Sequence, residues 1–170
     1  MLAKTENTES ETPVEEDNFV VTSAGNAGFA ADRNTLNAPA VGKLVLTIGA
    51  VDAFGARADF SSVGRAADGR IKPDVMAQGV LVKGINAATR NQYALSNGTS
   101  FSCPLAAGVV ALILQAHPDW NVMRVRRALR STASNADSPT RLVGWGILDG
   151  VAALDRYCTY RLLRRDRNSI

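Results

Sequence analysis

The segment from Thr99 to His117 constrains the fold of this chain more than any other. It is apolar on nearly every face, most of its residues are small, and it lacks the alternation of a half-buried strand. Pro104 falls in its first turn, where the missing N–H costs little, and Pro118 follows its end. The pattern predicts a helix buried on all sides, with the rest of the domain arranged around it.

Short β-rich runs precede this helix. They predict strands in six segments: 19–23, 44–51, 58–61, 74–77, 80–82 and 92–96. The runs do not alternate regularly between polar and apolar positions, which is typical of strands buried on both faces. We therefore predict an α/β fold in which a mostly parallel sheet packs against the central buried helix.

Two further helices are predicted after the central one. The first spans about 121–132, and a shorter one, capped by Asp149, runs to about Leu154. In the longer helix, Val122, Val125 and Leu129 line one face. Four arginines lie largely off that face and are interpreted as solvated: Arg124, Arg126, Arg127 and Arg130.

The charge of the chain is concentrated at its ends. The 170 residues are 46% apolar and carry a net charge of +3. Residues 1–17 contain one Lys and six acidic residues, whereas residues 156–170 contain five Arg and one Asp. We expect a disordered acidic segment over 1–17, one folded domain over 18–155 and a basic tail over 156–170.

Several classes of partner receive no support from the residues. No stripe of Lys and Arg lies on a folded element, so no nucleic-acid partner is expected. The longest apolar run, Leu105 to Leu114, is too short to span a bilayer, so no membrane partner is expected. Cys103 and Cys158 do not make a disulfide framework. No Asp/Glu cluster has the spacing of calcium ligands, so no metal site is predicted.

Ser100 lies where the loop Asn97-Gly98-Thr99 becomes the helix. Backbone N–H groups of a first helical turn are free, and the helix dipole favours negative charge nearby. A serine there is a candidate nucleophile, with its own N–H as an oxyanion donor. Residues at this position also serve simply as helix N-caps, and the local pattern leaves both interpretations open for Thr99 and Ser100.

Asn26 follows the first predicted strand, between Gly25 and Ala27-Gly28. An asparagine amide can donate a hydrogen bond to an oxyanion. Asparagine is equally at home in turns, where it tolerates a positive φ, so Asn26 alone does not decide between the two roles.

Ordered blocks along the chain bear on both residues. They are VTSAGNAG (21–28), LTIGAVD (46–52), FSSVG (60–64), KPDVMA (72–77), NGTSFSCPLAAGVVALIL (97–114), HPDW (117–120), LRSTA (129–133) and GWGILD (144–149). Together they resemble the C-terminal half of the catalytic domain of subtilisin-like serine proteases, the peptidase S8 family. The resemblance covers about residues 18–155 and implies a subtilisin-like three-layer fold whose central helix begins at the nucleophile.

The resemblance implies a serine endopeptidase. Ser100 would be the nucleophile, and Asn26 would stabilise the oxyanion together with the Ser100 N–H. It further assigns four residues to substrate binding: Ser23, Ala24, Gly25 and Thr99. The first three would form one wall of the pocket for the residue before the scissile bond, and Thr99 would flank the oxyanion hole.

The chain departs from the family upstream of Asn26. The family order is Asp, His, Ser, so both partners of Ser100 belong before Asn26. Residues 1–17 contain no His, and the family's substrate-binding strand before Asn26 is also missing. The single histidine, His117, lies about 25 Å from Ser100 along a helix. We expect a fragment from a truncated or mis-started gene product, inactive alone because the catalytic Asp and His are missing.

Two alternatives remain beside the fragment of an active protease. The chain could be a non-catalytic remnant that acts as a binding or decoy module. A sedolisin would also carry a Gly-Thr-Ser block, but that family uses an Asp where this chain has Asn26.

The family resemblance also suggests partners and a location. It implies polypeptide substrates, a missing N-terminal half as partner, and a secreted or cell-envelope protein, although residues 1–17 do not resemble a signal peptide. It leaves Ca²⁺ binding open. Half of a parallel sheet should leave an unpaired edge strand and one uncovered side of the helix, and such a fragment should aggregate.

Overall fold

The computed structural model describes residues 19–155 apart from residues 87 and 90. The expectations for residues 1–17, for the tail 156–170 and for Cys158 lie outside the described residues. The elements in chain order are β1 (Val21–Ser23), β2 (Leu46–Val51), β3 (Gly64–Arg65), β4 (Ile71–Lys72), β5 (Val75–Gln78), β6 (Val82–Ile85), β7 (Tyr93–Ser96), α1 (Thr99–Ala116), α2 (Val122–Thr132) and α3 (Gly150–Asp155).

A parallel sheet in the order β1-β2-β5 forms the centre of the fold, as predicted. Val21 pairs with Leu46 at one side of β2, and Ile48 pairs with Val75 at the other. Every residue of β2 is buried, which explains its uninterrupted apolar character. Within the described part of the chain, β1 pairs only with β2.

Helix α1 packs against all three strands of this sheet. The core lies between them and extends to α2 and α3. Its fully buried members include Leu46, Ile48, Val75, Ile113, Val125 and Leu129. Asn121 caps α2 by accepting a hydrogen bond from the Arg124 N–H at 3.0 Å, and Asp149 does the same for the Ala152 N–H at 2.9 Å.

The expectation that α1 is buried on all sides was wrong. Its buried residues form a single stripe: Thr99, Ser102, Ala106, Val110 and Ile113. On other faces Leu105 is 49% exposed and Leu112 is 62% exposed. An apolar surface on every face shows that the helix can be buried on every face. The described residues cover only one side of it.

By length and composition alone, α1 is long and apolar enough to cross a membrane, and it is the one such helix among the described residues. The length argument made from Leu105–Leu114 therefore does not hold for the whole helix. The central helix of a soluble protein meets the same criterion, and α1 packs along the sheet as such a helix does.

Two predicted strands were misplaced. Residues 58–61 form no strand; the Ala58 N–H donates to the Ala50 carbonyl and the Ser61 hydroxyl accepts from the Ala50 N–H, so they fold into a turn against β2. The strand expected at 80–82 lies at β6, where it pairs antiparallel with β7. The short ribbon of β3 and β4 falls in a segment predicted to be loop.

The interpretation of all four α2 arginines as solvated was also wrong. Arg124 and Arg127 are exposed, but Arg126 is only 5% exposed and Arg130 is partly buried. Both reach the carboxylate of Asp74, which is completely buried. The spacing of charges along a helix shows nothing about a carboxylate that lies more than fifty residues away in the chain.

Candidate active site

The turn that precedes Ser100 depends on Gly98. Its φ of 151° and ψ of 151° lie in a region that is essentially restricted to glycine. The Gly98 N–H donates to the Gly79 carbonyl at 2.8 Å, just beyond the end of β5. A Cβ on Gly79 would collide with Ser102 and with Ala50, so the turn can approach the sheet closely only because residue 79 is also glycine.

Ser100 is the second residue of α1 and is exposed. The N-cap of the helix is Gly98, so neither Thr99 nor Ser100 serves as the cap that the sequence left open. The Ser100 N–H lies in the first turn, where a helix offers no acceptor. Among the described residues no side chain forms a hydrogen bond with the Ser100 hydroxyl.

Asn26 contacts the start of α1 directly. Its Oδ1 accepts two hydrogen bonds from Thr99, one from the N–H and one from the hydroxyl, each at 2.9 Å. This pair fixes the orientation of the amide, because Oδ1 must face Thr99. The Nδ2 group remains as a donor near Gly98: a Cβ built on that glycine would lie 3.4 Å from it.

The alternative role of Asn26, a turn residue with positive φ, is not what the structure shows. Gly25 and Gly28 carry the positive φ values of this turn, at 108° and 68°. Among the described residues other than glycine, only Leu81 has a positive φ. The flanking glycines thus make the turn, and the Asn26 side chain is directed to Thr99.

Thr99 connects Asn26 and the turn at Gly25 to the start of α1. It is completely buried, and its hydroxyl accepts a hydrogen bond from the Gly25 N–H at 3.2 Å while donating to Asn26. The sequence predicted only that Thr99 flanks the oxyanion hole. In the structure it fixes both Asn26 and the turn before it relative to the helix that carries Ser100.

Backbone hydrogen bonds tie the predicted pocket wall to its neighbours. The Ala24 N–H donates to the Ile48 carbonyl at 2.9 Å, and the Ala24 carbonyl accepts from the Asn37 N–H at 3.1 Å. Ser23 pairs in register with Ile48 and is half-buried. Gly25 is buried and has both of its backbone groups bonded. The structure therefore brings Ser23, Ala24 and Gly25 together at the end of β1, next to Asn26.

The model of the subtilase family, peptidase S8, matches residues 3–146. This chain belongs to the subtilase family. It is 42% identical to subtilisin DY of Bacillus licheniformis over 116 residues, which cover 68% of this chain and 39% of that protein. It is 37% identical to subtilisin of Bacillus pumilus over 134 residues, which cover 79% of this chain and 46% of that protein.

Solved subtilisin-like proteases share the fold. The prenylagaramide maturation protease PagA superposes with a TM-score of 0.66 at 27% identity, covering 81% of this chain and 50% of that one. MycP1 with its N-terminal propeptide removed gives 0.64 at 25% identity, covering 80% and 50%. The subtilase chain described here thus spans half or less of the length of these relatives.

Sequence reasoning missed one residue that supports the subtilase site, Ser62. Its hydroxyl accepts from the Ala27 N–H at 3.0 Å, and its N–H donates to the Gly25 carbonyl at 3.0 Å. Ser62 thereby holds the turn on both sides of Asn26. The FSSVG block (60–64) is one of those that resemble the family, but its sequence does not indicate a contact with a turn more than thirty residues earlier.

No histidine lies beside Ser100 among the described residues. His117 is the only histidine of the chain and lies at the opposite end of α1. There its Nε2 is 2.9 Å from the Leu154 carbonyl oxygen, and its ring stacks on Trp120 with centroids 4.0 Å apart. These contacts join the end of α1 to the end of α3 and to Trp120. Among the described residues no group of acidic, His or Cys side chains could hold a metal ion.

Proposed function

We propose that this chain is the C-terminal half of the catalytic domain of a serine endopeptidase. In this role Ser100 attacks the carbonyl carbon of a peptide bond, and the Asn26 amide and the Ser100 N–H stabilise the resulting oxyanion. The observation that supports it most is the contact between Asn26 and Thr99. It directs the free Nδ2 donor to the helix turn that carries Ser100.

The reaction follows the acyl-transfer scheme of serine proteases. The Ser100 oxygen forms a bond to the carbonyl carbon as a base takes its proton. The tetrahedral intermediate then collapses: the C–N bond breaks, and the leaving amine receives that proton. Water attacks the acyl-enzyme, releases the second peptide and restores the serine. Because Asn26 and the Ser100 N–H are held before substrate arrives, they stabilise the developing charge without reorganisation.

The general base and the carboxylate that orients it would come from polypeptide outside the described residues. Without a base the Ser100 hydroxyl keeps an ordinary high pKa, and hydrolysis should fall by several orders of magnitude. We infer that the chain is active only when joined by a segment that carries this Asp and His. The same segment would supply the rest of the substrate cleft.

Two surfaces suit the attachment of such a segment. No described residue pairs with the outer edge of β1, which can therefore accept another parallel strand. Exposed apolar side chains on α1, Leu105 and Leu112, offer a surface that a covering layer would bury. The family resemblance further leads us to propose polypeptide substrates and a location outside the cytoplasm.

Complementation tests this proposal. The chain is mixed with the N-terminal half of the subtilisin DY catalytic domain, and labelling by a fluorophosphonate probe is followed. We expect labelling only in the mixture, and none with Ser100→Ala, which removes the nucleophile and leaves the fold intact. A stable complex that is never labelled would reject catalysis and favour the alternative, a non-catalytic binding or decoy module.

A further inference from the structure

An unusual charged cluster lies beneath α2, away from the candidate active site. Asp74 is completely buried, and its carboxylate contacts three cations. The Lys72 Nζ lies 2.7 Å from Asp74 Oδ2, the Arg126 Nε lies 3.2 Å from Oδ1, and Arg130 also contacts Oδ1. Oδ2 additionally accepts the Thr47 N–H at 2.7 Å. A single carboxylate therefore serves three buried or partly buried positive groups.

This cluster carries more positive charge than its one carboxylate can balance. Burial lowers the pKa of Lys72 to about 8, although Asp74 opposes the shift. Burial also lowers the pKa of Arg130, and the Nε of this arginine is buried without a hydrogen-bond partner among the described residues. Because unbalanced buried charge is costly, the cluster would be stabilised by a further anion.

A cavity beside the cluster could admit one. Its volume is about 410 Å³, and its lining includes Arg126, Arg127, Arg130, Ser131 and Trp145. Among the described residues that line it, Asp137 is the only acidic one. Arg127 is exposed and forms no ion pair with any described residue, so its guanidinium is available to a ligand. Arg130 is held over the Trp145 ring at 4.0 Å, which restricts its motion.

We propose that this arginine-lined cavity binds a phosphate group, as inorganic phosphate or as a small phosphate monoester. Arginine presents planar pairs of N–H donors that match phosphate oxygens. Arg127 is exposed and Arg130 is partly exposed at this space, so both can offer donors to a ligand. Arg126 also lines the cavity, but its guanidinium already donates to Asp74 and to the Lys43 carbonyl, so it contributes positive charge. The site is built by α2 and the loop before α3, so it does not involve Ser100 or Asn26. The inference therefore stands apart from the proposed protease function.

Isothermal titration with inorganic phosphate tests the proposal, with ionic strength held constant by chloride. We expect saturable binding with a dissociation constant of about 1 mM or below. Arg127→Gln should weaken it about tenfold, the effect of losing one charge-assisted hydrogen bond. Arg124→Gln removes the same charge from the same helix but does not line the cavity, so it should change affinity by less than about twofold.

A second variant should change the phosphate affinity in the opposite direction. Asp137→Asn removes a carboxylate from the lining and should tighten phosphate binding. A parallel titration with glycerol 3-phosphate distinguishes the two forms of ligand, because tighter binding of the ester would identify a monoester. The absence of saturable heat with either ligand would overturn the proposal. Equal weakening by Arg127→Gln and Arg124→Gln would do so as well, since it would reveal only general electrostatic attraction.

Discussion

Thr99→Val isolates the hydroxyl that connects the parts of the candidate site. Valine has nearly the same shape, so packing in this fully buried position is kept while both hydrogen bonds of the hydroxyl are lost. The Gly25 N–H is left buried without an acceptor, which should cost about 1–3 kcal/mol of folding free energy. Asn26 Oδ1 keeps only the Thr99 N–H, so its amide is held by one hydrogen bond instead of two.

The consequence for catalysis is measured in the complex with the complementing half. A donor that acts on the oxyanion works only in the transition state, so kcat should fall about tenfold while KM stays unchanged. Stability of the same complex is measured by urea denaturation. Thr99→Ser keeps the hydroxyl and should recover most of kcat. A loss of stability with unchanged kcat, or a serine variant as slow as the valine variant, would refute the positioning role of Thr99.

Three further perturbations test other parts of the structure. Gly98→Ala should destabilise the chain by about 1–3 kcal/mol in urea denaturation because of the strained φ, whereas Gly84→Ala, whose Cβ meets nothing within 4 Å, should have little effect. Leu112→Gln should reduce self-association in sedimentation and weaken binding of the complementing half; unchanged binding would exclude this face of α1 from the contact. Lys72 releases its proton at a lower pH in the folded chain than in the unfolded one, so its contribution to stability should rise by about 3 kcal/mol between pH 8 and 10.5. Urea midpoints across this range should show a smaller rise for Lys72→Met, and identical pH profiles would contradict the buried state of Lys72.

The sequence predicted those elements that are determined by residues close together in the chain. Small residues throughout α1 and a glycine turn before it predicted a helix from Thr99 to His117. The observed helix starts at the same residue and ends one residue earlier, at Ala116. The β-rich runs of β2 and β7 likewise correspond to strands. The ribbon of β3 and β4 was missed because strands of two residues have no periodicity to detect.

The features that were missed depend on residues distant in the chain. The burial of Arg126 requires Asp74, and the bracing of the Asn26 turn requires Ser62. The exposed side of α1 could not be read from its composition, since an apolar helix face looks the same whether or not another layer covers it. The sequence pattern thus predicted the helices and most strands. The ion pairs and hydrogen bonds between residues distant in the chain became visible only in the structure.

The groups of the candidate oxyanion hole all lie within the described residues, whereas a catalytic base does not lie beside Ser100 among them. Asn26, Thr99 and the turn before Ser100 are fixed by hydrogen bonds within the described chain, so their arrangement does not require another segment. Proton transfer, in contrast, needs groups that do not lie beside Ser100 among these residues. On the proposed function, stabilisation of the oxyanion and activation of the nucleophile therefore reside on separate polypeptide segments. A complementing half would have to add a base and a substrate strand, but it would not have to build the oxyanion hole.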